Sequence, residues 1–298
     1  MTMQWAGVMP AITTCFNEDL TVDHAFVARH ATWLIESGCT GIVALGSLGE
    51  GATLAFDEKV QVLSTIVKAL DGRAPVVAGI SALSTFEAVA LAKAAEAAGC
   101  SGLMVLPPYV YLGDWRENKA HLAAVFQATK LSCMLYNNPV AYKVDYVPEQ
   151  VQELLNEFEN LHAIKESSAD IRRVAALRSL VGDRLRILVG VDDAIVESIY
   201  MGAVGWVAGL VNAFPKESVE LFELAQSGQH EKAFALYSWF LPLLRMDTVP
   251  KFVQLIKQVQ EEVGMGSARV RPPRMAVIGA ELDETRRVVT EALANRAK

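Results

Sequence analysis

One lysine lies within an otherwise apolar segment, at a position where a charged side chain is unusual. Lys165 follows Ala163 and Ile164 in the stretch HAIKESS, and an ammonium buried there is costly unless it is paired or neutralised. An amine partly removed from water is an effective nucleophile whose natural partner is a carbonyl, and their product is a Schiff base. The alternative interpretation is a lysine that neutralises Glu166 or closes the strand end as a salt bridge.

Two further groups that could assist such a lysine follow other apolar segments. Tyr136, in LYNNP, is a phenol that could shuttle protons near a cationic iminium, or could simply pack at a strand end. Ser47 lies in the turn GSLGEGATL, over residues 46–54, and its hydroxyl could join a proton relay with Tyr136. The backbone N–H groups of such a glycine turn can bind a carboxylate or phosphate, whereas a plain tight turn is the simpler interpretation.

The elements that must position these residues form a repeated pattern of strand and helix. Eight apolar runs typical of parallel strands covered on both faces span residues 7–16, 41–47, 75–81, 102–108, 133–139, 162–168, 186–191 and 205–214. Helical periodicity is present over residues 22–38, 56–70, 84–100, 147–158, 171–182 and 193–203. This alternation predicts an α/β fold, a (β/α)8 TIM barrel, whose active site lies at the C-terminal ends of the strands.

An open doubly wound sheet is the competing architecture, and it loses support because no G-x-G-x-x-G motif follows the first strand. After Phe214 the chain is expected to be helical through residue 298, with a proline-broken connection at 269–274. We therefore predict a barrel over residues 1–214. Residues 215–298 are expected to form the final barrel helix and a C-terminal helical extension, packed as one unit with the barrel.

Charge and motif content argue against several classes of partner. The net charge of −7 disfavours nucleic acid and anionic membranes, and no uninterrupted apolar run is long enough to span a bilayer. The five histidines lack the i, i+4 spacing of a helical metal site, and the sequence has no G-x-x-x-x-G-K-[ST] loop. We therefore expect a small-molecule substrate, no metal and no cofactor.

Cysteine usage and the first ten residues indicate the compartment. The four cysteines, Cys15, Cys39, Cys100 and Cys133, form no CxxC pair and lie mostly among apolar residues. Buried, reduced thiols in a cytosolic protein are the plain interpretation. The stretch MTMQWAGVMP has no basic region followed by a long apolar run, so we expect no signal peptide and a cytoplasmic location.

Three motifs, taken together, resemble one known family. GSLGE after the second strand, YNNP after the fifth and IKESS at the sixth stand in the order and spacing of the dihydrodipicolinate synthase / N-acetylneuraminate lyase family. The resemblance covers nearly the whole chain. It implies a (β/α)8 barrel that acts on 2-keto acids by a class I, Schiff-base mechanism, and a homotetramer built as a dimer of dimers.

The resemblance also implies roles for individual residues. Lys165 is the expected Schiff-base lysine, Tyr136 the proton shuttle and Ser47 the hydroxyl relay. Tyr109, in LPPYVY, matches a tyrosine that family members lend to the neighbouring subunit's site, although Tyr111 is close by. Residues expected to contact the substrate are Leu48, Gly49, Asn138, Ser167, Gly190 and Val207, with the amides of Ser47 and Leu48 holding its carboxylate.

Departures from the family pattern bear on the substrate. Leu48 replaces the second threonine of the turn, so one carboxylate-binding hydroxyl is missing. Ala141 stands where the synthase carries an arginine that binds the second substrate's carboxylate. Loss of that guanidinium removes a bidentate clamp, so dihydrodipicolinate synthesis is not expected.

One branch of the family fits better. YNNP, KESSADIRR, GVDDAIVES, GAVGWVAGLVNAFP, LYSWFLPLLRMD and RPPR resemble the 1-pyrroline-4-hydroxy-2-carboxylate deaminases of hydroxyproline breakdown, which convert a cyclic ketimine into 2,5-dioxopentanoate and ammonia. Asn138 would hydrogen-bond the ring hydroxyl or nitrogen, or serve only as a turn residue before Pro139. Two alternatives remain open: a dehydratase or retro-aldol lyase for a sugar-derived 2-keto acid, and a catalytically silent barrel that senses keto acids.

Overall fold

The computed structural model describes residues 3–296 and confirms the predicted (β/α)8 TIM barrel. The strands are β1 (Gly7–Pro10), β2 (Ile42–Ala44), β3 (Val76–Ile80), β4 (Gly102–Val105), β5 (Ser132–Asn137), β6 (Leu161–Glu166), β7 (Arg186–Val189) and β8 (Gly205–Ala208). They pair in parallel in the order β1-β8-β7-β6-β5-β4-β3-β2. A bridge between Ala11 and Val43 joins the ends of β1 and β2, so the sheet forms a nearly closed barrel.

Helices follow the strands and cover the outside of the barrel. They are α1 (His24–Glu36), α2 (Phe56–Leu70), α3 (Thr85–Ala97), α4 (Trp115–Gln127), α5 (Pro139–Tyr142), α6 (Pro148–Glu157), α7 (Arg172–Val181), α8 (Ile195–Tyr200) and α9 (Pro215–Gln226). The periodicity analysis did not name α4 and α5. A reciprocal capping box begins α4, because Asp114 accepts from the Glu117 N–H at 2.9 Å and Glu117 from the Asp114 N–H at 3.0 Å.

The strands are buried on both faces, as their apolar composition predicts. Every residue of β2, β3, β4 and β8 is buried, since helices cover the outer face and side chains fill the barrel. All four cysteines are free and buried, and burial raises the pKa of Cys39, Cys100 and Cys133 to about 12. These three thiols are therefore unreactive at neutral pH.

The C-terminal segment continues with α10 (His230–Leu244), α11 (Phe252–Glu262) and α12 (Gly279–Ala294). Thr13 ties the barrel to α11 by donating its hydroxyl to Gln260 Oε1 at 2.8 Å. Between α11 and α12 the chain is not helical over residues 263–278, a longer interruption than the one expected at 269–274. Gly264 and Gly266 begin it, because both adopt the positive φ that ends a helix.

The predicted division of the chain at residue 214 stays a prediction, and its outer limits, residues 1 and 298, lie outside the described residues. Within residues 3–296 no helix is both long enough and apolar enough to cross a membrane.

Candidate active site

Lys165 and Tyr136 lie side by side at the C-terminal ends of neighbouring strands. The register of β5 and β6 pairs the two residues, and Lys165 Nζ lies 4.4 Å from the centroid of the Tyr136 ring. Lys165 is 7% exposed and Tyr136 is 5% exposed. A cation over the face of a phenol ring is attracted to it, so the amine and the phenol form one contact pair.

Lys165 has no counter-ion. Within residues 3–296 no carboxylate oxygen lies within 4.0 Å of its Nζ. Glu166, the partner considered from the sequence, instead accepts hydrogen bonds from the Asn137 amide at 3.0 Å and the Ser168 backbone N–H at 2.7 Å. Burial raises the pKa of Glu166. A buried amine without a partner destabilises the fold, which favours a chemical role over a structural one.

Gly190 leaves the room that Lys165 needs. A Cβ at this position would lie 2.1 Å from Lys165 Cε and 2.2 Å from Ser167 Oγ, so a larger residue would displace both side chains. The Ser167 hydroxyl is buried and has no hydrogen-bond partner within residues 3–296. A buried hydroxyl without a partner is costly, and this one lies beside the amine where a ligand would satisfy it.

Val207 lies on the same face of the sheet as the lysine. The register pairs Lys165 with Leu188 and Leu188 with Gly205, and Val207 is two residues beyond Gly205 on β8. Side chains two apart on a strand point to the same face. Val207 is buried, so its side chain forms part of the floor below the strand ends.

The turn after β2 has the form of an anion-binding turn. Leu45 and Glu50, at its two ends, have φ values of 64° and 53°, a left-handed conformation that is unusual for residues with side chains. The backbone N–H groups of Ser47, Leu48 and Gly49 donate to no acceptor within residues 3–296. These three amides are therefore available to a carboxylate, while the Leu48 side chain is buried.

A second phenol, which the sequence analysis did not name, connects Ser47 to Tyr136. The Ser47 hydroxyl forms a hydrogen bond with the Tyr142 hydroxyl. The Tyr142 ring meets Tyr136 edge-on at 5.7 Å between centroids and Tyr109 edge-on at 5.5 Å. Removal from water, with the neighbouring phenols of Tyr136 and Tyr109, raises the pKa of Tyr142 well above its ordinary value. Ser47 is thus hydrogen-bonded to a neutral phenol whose ring packs against Tyr136.

Tyr109 and Tyr111 have different surroundings. Tyr109 packs on Tyr142, whereas Tyr111 is 54% exposed and donates its hydroxyl to Glu117 at 2.8 Å. Of these two residues, Tyr109 is therefore the one that packs with Tyr142 and, through it, with Tyr136. Its contribution to a neighbouring subunit stays a prediction.

Asn138 is hydrogen-bonded to the Tyr136 hydroxyl and also begins the next helix. Its Nδ2 donates to the Tyr136 hydroxyl at 3.0 Å, and its Oδ1 accepts from the Ala141 N–H at 2.9 Å to begin α5. Its Oδ1 therefore has the turn role expected before Pro139, while its Nδ2 is hydrogen-bonded to the Tyr136 hydroxyl. Because the amide donates to Tyr136, the phenol proton is free to be given elsewhere.

The anion-binding turn is held in place by buried charges. Glu50 is fully buried and accepts from Lys257 Nζ at 2.8 Å and from the Arg271 backbone N–H at 3.0 Å. Burial lowers the pKa of Lys257, and Glu50 opposes that shift. Glu50, although it ends the turn, therefore faces the C-terminal segment and not the barrel mouth.

Asp192 is a buried acid that follows β7, the strand next to that of Lys165. Its carboxylate accepts from the Trp206 indole N–H at 2.9 Å and from the Leu210 backbone N–H at 2.8 Å. Burial raises the pKa of Asp192 to about 6, and these hydrogen bonds oppose the shift. Residues 3–296 contain no group of three or more His, Cys, Asp or Glu side chains arranged to hold a metal ion.

Known proteins of similar sequence and structure identify the family. The sequence model of the Dihydrodipicolinate synthetase family matches residues 4–292. The chain is 31% identical over 267 residues to a 4-hydroxy-tetrahydrodipicolinate synthase from Methanococcus maripaludis, covering 90% of this chain and 91% of that protein. It is also 31% identical over 271 residues to a protein of the same name from Mesorhizobium japonicum, covering 91% and 92% of the two chains.

Solved structures give the same result. The crystal structure of dihydrodipicolinate synthase from Aquifex aeolicus matches with a TM-score of 0.92 and 26% sequence identity, covering 96% of this chain and 98% of that chain. The structure of the synthase from Thermotoga maritima matches with a TM-score of 0.91, also at 26% identity, covering 97% and 98%. The chain therefore belongs to the dihydrodipicolinate synthetase family and is a class I Schiff-base lyase of that family.

Proposed function

We propose that this enzyme is a deaminase that converts 1-pyrroline-4-hydroxy-2-carboxylate into 2,5-dioxopentanoate and ammonia. The observation that carries the proposal is Ala141, an exposed residue of α5 that offers no guanidinium to a second substrate's carboxylate. The adjacent Tyr142 supplies a neutral hydroxyl instead. A reaction on a single acidic substrate needs one carboxylate site and several proton transfers, which suits this arrangement.

The relatives named as synthases support the family and the mechanism, whereas the proposed substrate rests on the residues of the site. The resemblance of segments such as KESSADIRR and LYSWFLPLLRMD to the deaminase branch adds to the argument from Ala141.

Binding begins with the substrate carboxylate on the free N–H groups of Ser47 and Leu48. This anchor directs C2 of the pyrroline ring towards Lys165, which has no competing ion pair. The unprotonated amine of Lys165 adds to C2. One proton of that amine and the phenol proton of Tyr136 pass to the ring nitrogen, and the bond between C2 and the ring nitrogen breaks. The product is an open-chain Schiff base on Lys165 that carries a primary amine at C5.

Proton transfer then removes the hydroxyl. The phenolate of Tyr136, which accepts a hydrogen bond from Asn138, takes a proton from C3, and the product is an enamine. The enamine expels the 4-hydroxyl as water. Loss of a C5 proton and protonation at C3 move the double bond towards C5, where it becomes an imine.

Hydrolysis completes the reaction. One water releases ammonia from C5 and leaves an aldehyde, and a second water releases the keto group from Lys165. One water leaves and two enter, so the balance is substrate plus one water to 2,5-dioxopentanoate and ammonia. The Tyr142 hydroxyl, hydrogen-bonded to Ser47 on a ring that packs edge-on against Tyr136, supplies a second phenol for these proton transfers.

A coupled assay tests the proposal. Wild-type enzyme is incubated with the pyrroline, and ammonia and 2,5-dioxopentanoate are measured separately, with Lys165→Ala as the control. We expect equal amounts of the two products from the wild type and none from the control. Absence of ammonia, together with pyruvate formed from a 2-keto-3-deoxy sugar acid, would replace the deaminase with the aldolase or lyase alternative.

A further inference from the structure

A second acid, Asp247, lies at the barrel mouth and has no role in the reaction steps proposed for this enzyme. Asp247 ends the single 3-10 turn Arg245–Asp247 that follows α10. Its carboxyl rests on the end of β8, where a Cβ at Gly209 would lie only 2.0 Å from Asp247 Oδ1. Although part of the residue reaches the surface, Oδ1 is buried and has no hydrogen-bond partner within residues 3–296. Such an oxygen destabilises the fold, so its presence calls for another explanation.

The neighbouring carboxyl, Asp192, decides which of the two acids carries a charge. Asp192 accepts hydrogen bonds from the Gly209 and Leu210 backbone N–H groups and from the Trp206 indole, and these donors stabilise its anion. Asp247 Oδ1 receives none of them. Burial, and then the negative charge of Asp192, raise the pKa of Asp247 well above its ordinary value. Two adjacent buried carboxyls do not both ionise, so Asp247 keeps the proton.

The strand order puts this proton on the opposite side of the lysine from Tyr136. Tyr136 lies at the end of β5 and Lys165 at the end of β6, followed by Gly190 after β7 and Gly209 after β8. Asp247 rests on Gly209. Lys165 lies near enough that its charge lowers the pKa of Asp192 and of Asp247, but burial and the charge of Asp192 outweigh this effect on Asp247. A substrate held on Lys165 thus has a phenol on one side and a carboxylic acid on the other.

We propose that Asp247 donates the proton with which the substrate hydroxyl leaves as water, an assignment that rests on the proposed function. The lone pair of the lysine nitrogen re-forms the double bond to C2, the C2–C3 double bond shifts to C3–C4, and the C4–O bond breaks. The departing oxygen takes the proton of Asp247 and leaves as water. The carboxylate that remains regains a proton from water before the next turnover. Hydroxide is a poor leaving group, so an acid at this point accelerates the step.

The test compares Asp247→Asn with Asp183→Asn, an exposed acid that pairs with Arg178 before the start of β7. Two readouts are measured on each variant. The first is ammonia release from the pyrroline. The second is exchange of the methyl protons of pyruvate with D2O, which requires the Schiff base and proton removal but has no hydroxyl to expel. Asparagine keeps the shape of Asp247 and removes its acidic proton.

We expect Asp247→Asn to slow ammonia release by about 10²–10⁴-fold and to leave pyruvate exchange unchanged, while Asp183→Asn changes neither. Ammonia release at the wild-type rate in Asp247→Asn would overturn the assignment. So would an equal loss of both activities, because Asp247 would then only support the site. A wild type that exchanges pyruvate protons but releases no ammonia would instead reject the proposed function, and this assignment with it.

Discussion

Two buried lysines in this chain each contact an aromatic ring, but only one of them has a hydrogen-bond acceptor for its amine. Lys165 and Lys257 each place Nζ 4.4 Å from the centroid of an aromatic ring, Tyr136 for the first and Phe16 for the second. Lys257 also donates to Glu50 Oε1 at 2.8 Å and to the Thr14 carbonyl at 2.9 Å. Lys165 has no such acceptor within residues 3–296.

The comparison shows which feature separates the two lysines. Burial and contact with a ring are common to both residues, so neither separates chemistry from structure. The missing partner does, because the Lys257 ammonium is held by Glu50 at 2.8 Å, whereas the Lys165 amine has no acceptor within residues 3–296 and is open to a ligand. Lys257 serves the same site indirectly, since its partner Glu50 ends the turn that carries Ser47.

Replacement of the unpaired lysine gives the largest expected effect on activity. Lys165→Ala removes the nucleophile, so we expect turnover to be abolished while the protein stays folded, since no ion pair is broken. Steady-state kinetics and thermal unfolding measure the two outcomes. Lys165→Arg is the matched control, because it keeps the charge and cannot form a Schiff base. Retained activity in either variant would reject the assigned role of Lys165.

The second-largest effect on activity is expected from Tyr136, whose ring contacts Lys165. Tyr136→Phe keeps the ring against the amine and removes the hydroxyl, so we expect turnover to fall by about 10²–10⁴-fold through loss of acid–base catalysis. Adduct formation with borohydride should persist, because the lysine is still present. A near-normal rate in this variant would remove Tyr136 from the mechanism.

Replacement of Lys257, the lysine paired with Glu50, should lower the stability of the fold. Lys257→Met leaves Glu50 buried without its partner, so we expect the free energy of unfolding to fall by about 3–5 kcal/mol. Urea denaturation measures this change, and the double variant Lys257→Met with Glu50→Gln should recover part of the loss. Unchanged stability of the single variant would show that the two lysines differ less than their contacts indicate.

The smallest effect is expected from the second phenol. Tyr142→Phe breaks the hydrogen bond to Ser47 and keeps the ring against Tyr136, so we expect about a tenfold loss of kcat, the value of one hydrogen bond. Tyr111→Phe is the control, since that exposed hydroxyl contacts only Glu117. A loss as large as that of Tyr136→Phe would make Tyr142 the principal proton shuttle.

Most of the fold could be predicted from the sequence, because apolar runs and helix ends are local signals. The run at 75–81 became β3 (Val76–Ile80), and the other strands were located similarly. Helix α4 was missed, although the capping box of Asp114 and Glu117 that begins it was readable from the sequence.

The positions of Lys165 and Tyr136 were predictable for the same reason, since strand order puts neighbouring strand ends together. Tyr142 and Asp247 were not. Tyr142 reaches Ser47 across 95 residues through a helix of four residues, and the absence of a partner for Asp247 depends on every element around it. Such contacts leave no periodic trace in the sequence.

Trapping of the Schiff base tests the central claim most directly. The enzyme is incubated with pyruvate and borohydride and digested, and the peptides are analysed by mass. We expect a reduced adduct on the peptide that contains Lys165, none on the peptide that contains Lys257, and none in Lys165→Ala. An adduct on another lysine, or no adduct in the wild type, would contradict the account.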